Sequence, residues 1–83
     1  MTHQYRFEDM KSEVERGVFE GAKIEPDENL IEARLLDSLN LIKLISLLEK
    51  RYEISFVGRE MRIENFRTFR AISSLVEHKI SGR

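Results

Sequence analysis

One serine in this chain stands where its hydroxyl could do chemistry. Ser38 lies between Asp37 and Leu39, where the run LLDSLNLIKLISLLEK, residues 35–50, should enter a helix. If Asp37 is the N-cap, Ser38 is the first helical residue and its side chain lies near the helix mouth. An anionic group attached to that hydroxyl would sit close to unpaired backbone N–H groups and the positive end of the helix dipole. The plain alternative is that Asp37 and Ser38 only start a helix, a capping role worth about 0.5–2 kcal/mol. No histidine is placed as an obvious base for Ser38, since His3 and His78 lie near the two ends of the sequence. Ser12, Ser46, Ser55, Ser73, Ser74 and Ser81 have no comparable context and read as surface or turn residues. The absence of cysteine removes disulfides, thiolate metal sites and cysteine nucleophiles, and fits a reducing compartment. Two histidines and scattered carboxylates form no metal site, and no constellation of catalytic side chains assembles. The chain does not read as an enzyme.

The elements that must position Ser38 follow from apolar spacing. Phe7, Met10, Val14 and Val18 form one stripe of an amphipathic helix that should stop between Gly17 and Gly21. The stretch AKIEPDENLIEARLLD, residues 22–37, holds the only proline and no sustained period. It reads as a long ordered loop pinned by Ile24, Leu30, Ile31 and Leu35. Leu41, Leu44, Ile45, Leu48 and Tyr52 then make a strong helical core stripe. The pattern breaks by Gly58, YEISF could be a short extended piece, and EMRIENF suggests a short helix of a turn or two. Thr68 caps a last helix whose inner side carries Phe69, Ile72, Val76 and Ile80. The expected fold is all-α: a small four-helix bundle with three long helices and a short third one. A long loop should join its first two helices.

Length and composition agree with one compact domain over residues 1–83. The 41% hydrophobic and 35% charged content argues against disorder. No apolar run approaches the roughly 18 residues of a membrane span, and MTHQYRFEDM lacks a signal-peptide core. A cytoplasmic monomer is the expectation. Charge is uneven along the chain: residues 1–37 hold five Lys/Arg against ten Asp/Glu, and residues 38–83 hold nine against five. That asymmetry points to the kinds of surface that partners meet.

The run LLDSLNLIKLISLLEKRYEISF resembles the attachment region of acyl and peptidyl carrier proteins. Their hallmark is Asp-Ser-Leu at the start of the second helix, followed by an apolar helix ending in Glu and an aromatic residue. Here these are Asp37-Ser38-Leu39, then Glu49 and Tyr52. ENFRTFRAISSLV is similar to the junction before the last helix of stand-alone carriers, and the first helix and long loop fall where that family has them. The resemblance covers essentially the whole domain. It implies a non-catalytic carrier with 4'-phosphopantetheine attached to Ser38, transferred from coenzyme A by a phosphopantetheinyl transferase that uses magnesium. The thiol of the arm would hold an acyl or aminoacyl group as a thioester. Implied partners are that transferase, a loading enzyme, and downstream transferases or synthases.

One face departs from the fatty-acid branch of that family, whose second helix is acidic where partners dock. Here the face reads Leu39, Ile42, Lys43, Ser46 and Lys50, with Asn40 where an acid is common and Arg51 beyond. Such a reversal changes which partners are steered in. It suggests a dedicated pathway: a specialised lipid, a polyketide or nonribosomal product, or an activated amino acid. Leu39 and Ile42 should be exposed, and with Phe56 and Met61 could form a small docking patch. For Phe56 and Met61 core packing is the alternative, and for the lysines a solvated helix face. Two other functions compete with the carrier: an unmodified helical protein-interaction module and a small nucleic-acid-binding domain. The latter draws on Arg59, Arg62, Arg67 and Arg70, with LLEKRYEISFVGREM forced into a helix–turn–helix. Interleaved Glu60 and Glu64 and the net charge of −1 count against it.

Overall fold

The computed structural model describes residues 5–82, so His3 lies outside the described residues. All regular structure among them is helical: α1 (Phe7–Gly17), α2 (Ser38–Tyr52), two 3₁₀ turns (Gly58–Glu60 and Ile63–Phe66) and α3 (Phe69–Ser81). α1 packs on both α2 and α3, and the second 3₁₀ turn packs on α2 and α3.

The helices form where the apolar spacing places them. α1 buries Met10 and Val14 and carries Glu8 and Asp9 in its first turn, at the positive end of its dipole. It ends as expected between the two glycines. The Val18 and Phe19 N–H groups both return to the Val14 carbonyl, at 2.8 and 3.3 Å, and Gly21 N–H reaches the Glu15 carbonyl at 2.7 Å. Gly21 sits at φ +87°, a conformation open to glycine and strained for other residues. Gly17 has a packing role that its helix-weakening reputation hides. A Cβ there would come within 2.8 Å of Leu47 Cδ1, so the bare backbone leaves room for the end of that α2 side chain. α2 buries the expected Leu41, Leu44, Ile45, Leu48 and Tyr52. α3 is capped by Thr68, whose Oγ1 accepts from Ala71 N–H at 3.0 Å, and buries Phe69, Ile72 and Val76. Ile80 is only half-buried. Ser73 is buried rather than a surface residue, because its hydroxyl pairs with the Tyr5 hydroxyl at 2.7 Å. Burial pushes that tyrosine up to about 12, so it stays a neutral partner for Ser73.

Two corrections concern the irregular segments. The expected short third helix is two separate 3₁₀ turns, which makes the fold three α-helices and not four. Arg62 (φ −91°, ψ 137°) and the cap Thr68 (φ −135°, ψ 158°) are both extended. Between them the chain makes one tight turn, closed by Asn65 N–H to the Arg62 carbonyl at 2.9 Å. The helix–turn–helix alternative also fails, since α2 ends at Tyr52 and the segment after it, through Met61, contains only the three-residue 3₁₀ turn Gly58–Glu60 and no second α-helix.

The long connection, residues 18–37, is ordered as expected, but with additional anchors. Ile24 and Leu30 are buried and Ile31 and Leu35 half-buried; Leu36 and Phe19 are buried as well. Each fully buried side chain of this size contributes about 1.5–3 kcal/mol over leaving it exposed. Polar groups close the remainder. The Asn29 side chain accepts from the N–H groups of Ile31 and Glu32, both at 3.0 Å. Glu15, a buried carboxylate on α1, accepts from Ile24 N–H at 2.9 Å and from the Lys11 ammonium at 2.6 Å.

Burial alone would raise the Glu15 pKa, but the Lys11 partner, the Ile24 N–H and the charge of Lys23 hold it below the usual 4.5. Its stabilising effect is therefore complete above that value and is lost as pH falls through the lower folded-state value. Glu15→Ala should cost about 1–3 kcal/mol at neutral pH, because it leaves a buried N–H and a nearly buried ammonium without their acceptor. Urea unfolding should show that gap narrowing under acid conditions; a pH-independent gap would count against this role.

Candidate functional site

The start of α2 is held from three directions. Asp37 is extended (φ −133°, ψ −174°), and its carboxylate Oδ1 accepts from Asn40 N–H at 2.8 Å, the expected N-cap. Its carbonyl receives Leu41 N–H at 2.8 Å, the first bond of the helix ladder. Asn40 in turn donates its side-chain amide to the Leu35 carbonyl at 2.9 Å. A carboxylate at position 40 could not donate that bond, so Asn40 serves the fold rather than a docking surface. Immediately before the cap, Leu36 is buried in the core. The chain thus enters α2 along a fixed path.

Ser38 follows on that path as the first residue of α2, and it is exposed. Its hydroxyl makes no hydrogen bond with another described residue. The N–H groups of this first turn have no partner from the helix itself, apart from the Asn40 N–H that Asp37 takes. Those donors and the helix dipole suit a phosphodiester on the hydroxyl. The Asp37 carboxylate opposes it, but that charge is exposed to solvent and already directed at Asn40. On chemistry and access, the residues present fit a phosphopantetheine arm at Ser38. The shallow clefts lined by His78 do not include Ser38.

The outer face of α2 matches the expected pattern. Leu39 and Ile42 are each 62% exposed, and Lys43, Ser46 and Lys50 are exposed with them. Met61 is 42% exposed. Phe56 corrects the expectation of a four-residue apolar patch, because it is buried with its ring edge-to-face on Phe66 at 5.6 Å. The reason is a period of two: Ile54 and Phe56 point inward, while Ser55 and Val57 are exposed. Val57, 47% exposed, takes the outward position that spacing alone did not assign. The alternation in YEISFV was the available signal.

Two glutamates hold this segment against the helices. Glu49 Oε2 accepts from Phe56 N–H at 2.9 Å, while its carbonyl receives Ile54 N–H at 3.3 Å. The helix-ending glutamate of the sequence motif is thus an anchor for the turn after α2. Glu60 pairs with Lys79 of α3 at 2.5 Å and accepts from Val57 N–H at 2.9 Å, and these partners hold its carboxyl below the usual range. The Lys79 ammonium also lies 5.5 Å from the centre of the Phe56 ring.

Capping at Asp37 can be tested apart from any function. Asp37→Ala should destabilise the protein by about 0.5–2 kcal/mol, while Asp37→Asn, which keeps the acceptor, should stay within a few tenths. Urea midpoints measure both; equal losses would show that the carboxylate charge, and not the cap bond, matters.

Comparison with known proteins adds to this geometry. Residues 17–76 match the family described as phosphopantetheine attachment site. The matched span runs from the last residue of α1 through the long connection, α2 and both 3₁₀ turns into α3. No curated protein matches the chain. Among the described residues, no helix is long and apolar enough to cross a membrane. A match over most of the chain, on a helical fold whose second helix opens with an exposed serine, places this protein in the phosphopantetheine-attachment family of carrier domains, which bear 4'-phosphopantetheine covalently.

Proposed function

We propose that Ser38 is the residue that carries the arm, and that the protein delivers an acyl or aminoacyl cargo to partner enzymes. The observation that supports this is the exposed Ser38 hydroxyl at the first turn of α2, free of hydrogen bonds to other described residues and inside the span that matches the family. In the transfer, the Ser38 oxygen forms a new bond to the phosphorus that bears the pantetheine of coenzyme A. The pyrophosphate bond breaks, adenosine 3',5'-bisphosphate leaves, and the hydroxyl proton passes to a base on the transferase. The attached arm supplies a thiol on which cargo is held as a thioester, so a chain without cysteine carries thiol chemistry. Ser38 contributes a reachable oxygen; Asp37 and Asn40 keep it in place. Binding, activation and release of cargo belong to the partners.

The outer face of α2 supports a dedicated pathway. Leu39 and Ile42 beside the attachment point, and Met61 in the segment after α2, offer apolar contacts, and Lys43 and Lys50 give the face a cationic rim. A specialised lipid, a polyketide or nonribosomal product, or an activated amino acid is the class of cargo this reading assigns.

Incubation with coenzyme A, magnesium and a broad-specificity phosphopantetheinyl transferase should raise the intact mass by one phosphopantetheine group. Ser38→Ala should show no gain while keeping the circular dichroism of the parent. An unchanged mass in folded wild type, or equal labelling of Ser38→Ala, would refute the assignment.

A further inference from the structure

Among the described residues, the cations around the apolar face of α2 form no ion pair, although the charge of Arg59 favours the neighbouring Glu60 carboxylate. Lys43 and Lys50 are exposed on the same helix face as Leu39 and Ile42, and Arg59 and Arg62 flank Met61 in the following segment. None of these four side chains makes an ion pair or hydrogen bond with a described residue. That segment runs beside α2, since Phe56 is bonded to Glu49 and the second 3₁₀ turn packs on the helix.

The nearby acids are largely engaged elsewhere. Asp37 caps Asn40, Glu49 binds the Phe56 N–H, and Glu60 is held by Lys79 and the Val57 N–H. Glu53 and Glu64 complete the acids of residues 38–67, against six cations; among the described residues only Arg51 of these has an ion-pair partner, Glu13 at 3.6 Å. The acids of residues 1–37 are carried by α1 and the long connection instead.

We propose that this face docks on protein partners whose binding surface has an apolar centre and an acidic rim. Aspartates and glutamates of the partner meet Lys43, Lys50, Arg59 and Arg62, and aliphatic side chains meet Leu39, Ile42 and Met61. This deepens the carrier reading and rests on it. Charge complementarity steers the encounter, and the apolar contacts hold the complex once water is excluded. A nucleic acid fits the face less well. Its phosphates would cover exposed aliphatic groups, and the neighbouring rings of Phe56 and Phe66 are buried and offer no surface for stacking.

The test uses two phosphopantetheinyl transferases of broad specificity, one with an acidic carrier-docking rim and one with a basic rim. Modification of Ser38 is followed by intact mass. The acidic-rim enzyme should show a kcat/KM at least ~10-fold higher on wild type at low salt, with the advantage shrinking at about 0.5 M salt. Lys43→Glu combined with Lys50→Glu should reverse the preference, with thermal unfolding confirming that the variant is folded. Equal kcat/KM for the two enzymes, or a preference unmoved by the double substitution, would overturn the acidic-partner proposal while leaving the attachment at Ser38 intact. Failure of both enzymes to modify folded wild type would instead overturn the attachment reading, and this proposal with it. Binding of labelled single-stranded DNA at about 0.15 M salt, lost in the double variant, would reassign the face to nucleic acid.

Discussion

The placement of Ser38 depends on how Leu30 is pinned. Its side chain is fully buried, and its N–H reaches the Arg67 carbonyl at 2.7 Å, beside the start of α3. Its own carbonyl receives the N–H groups of both Leu35 and Leu36, at 3.0 and 3.1 Å. One residue therefore closes a turn in the connection and ties that turn to the chain entering α3. Without such closure, the backbone groups of residues 18–37 would compete for water and the entrance to α2 would lose its fixed direction. Leu36 is then delivered into the core, Leu35 offers its carbonyl to Asn40, and Ser38 emerges one residue after the cap.

The same helix has two unlike tasks, and its period separates them. Residues 41, 44, 45, 48 and 52 face the core, while 39, 42, 43, 46 and 50 face solvent. The buried set fixes the helix axis against α1, where the bare backbone of Gly17 admits Leu47. The exposed set is then presented on a rigid element, which suits a surface that must be read by other proteins. Polar ties extend that rigidity past the end of α2. Glu49 and the Glu60–Lys79 pair hold residues 54–61 against the helices, so Val57 and Met61 are displayed from an anchored segment. Isolated surface ion pairs stabilise little, and the value of Glu60 lies in its second contact, to the Val57 N–H.

What the sequence by itself determined were the three helices, their core faces, the caps Asp37 and Thr68, and the exposure of Leu39 and Ile42 beside a serine at a helix start. Each of these is a local matter: a period of 3.6, or a capping side chain within four residues of its N–H partner. Tertiary structure alone decided the rest. The short third helix is two 3₁₀ turns instead, interrupted by the extended Arg62 and ended by the extended cap Thr68. Phe56 turned inward because Phe66, ten residues on, offered its ring, and Ser73 was buried because Tyr5 lies across from it. Glu15 reads from sequence as one more wet-side charge of α1, yet it is the buried acceptor for Ile24. Asn40 reads as a missing acid, yet it clasps the Leu35 carbonyl. These roles depend on which groups meet after the chain has folded back on itself, and such meetings leave no period in the sequence.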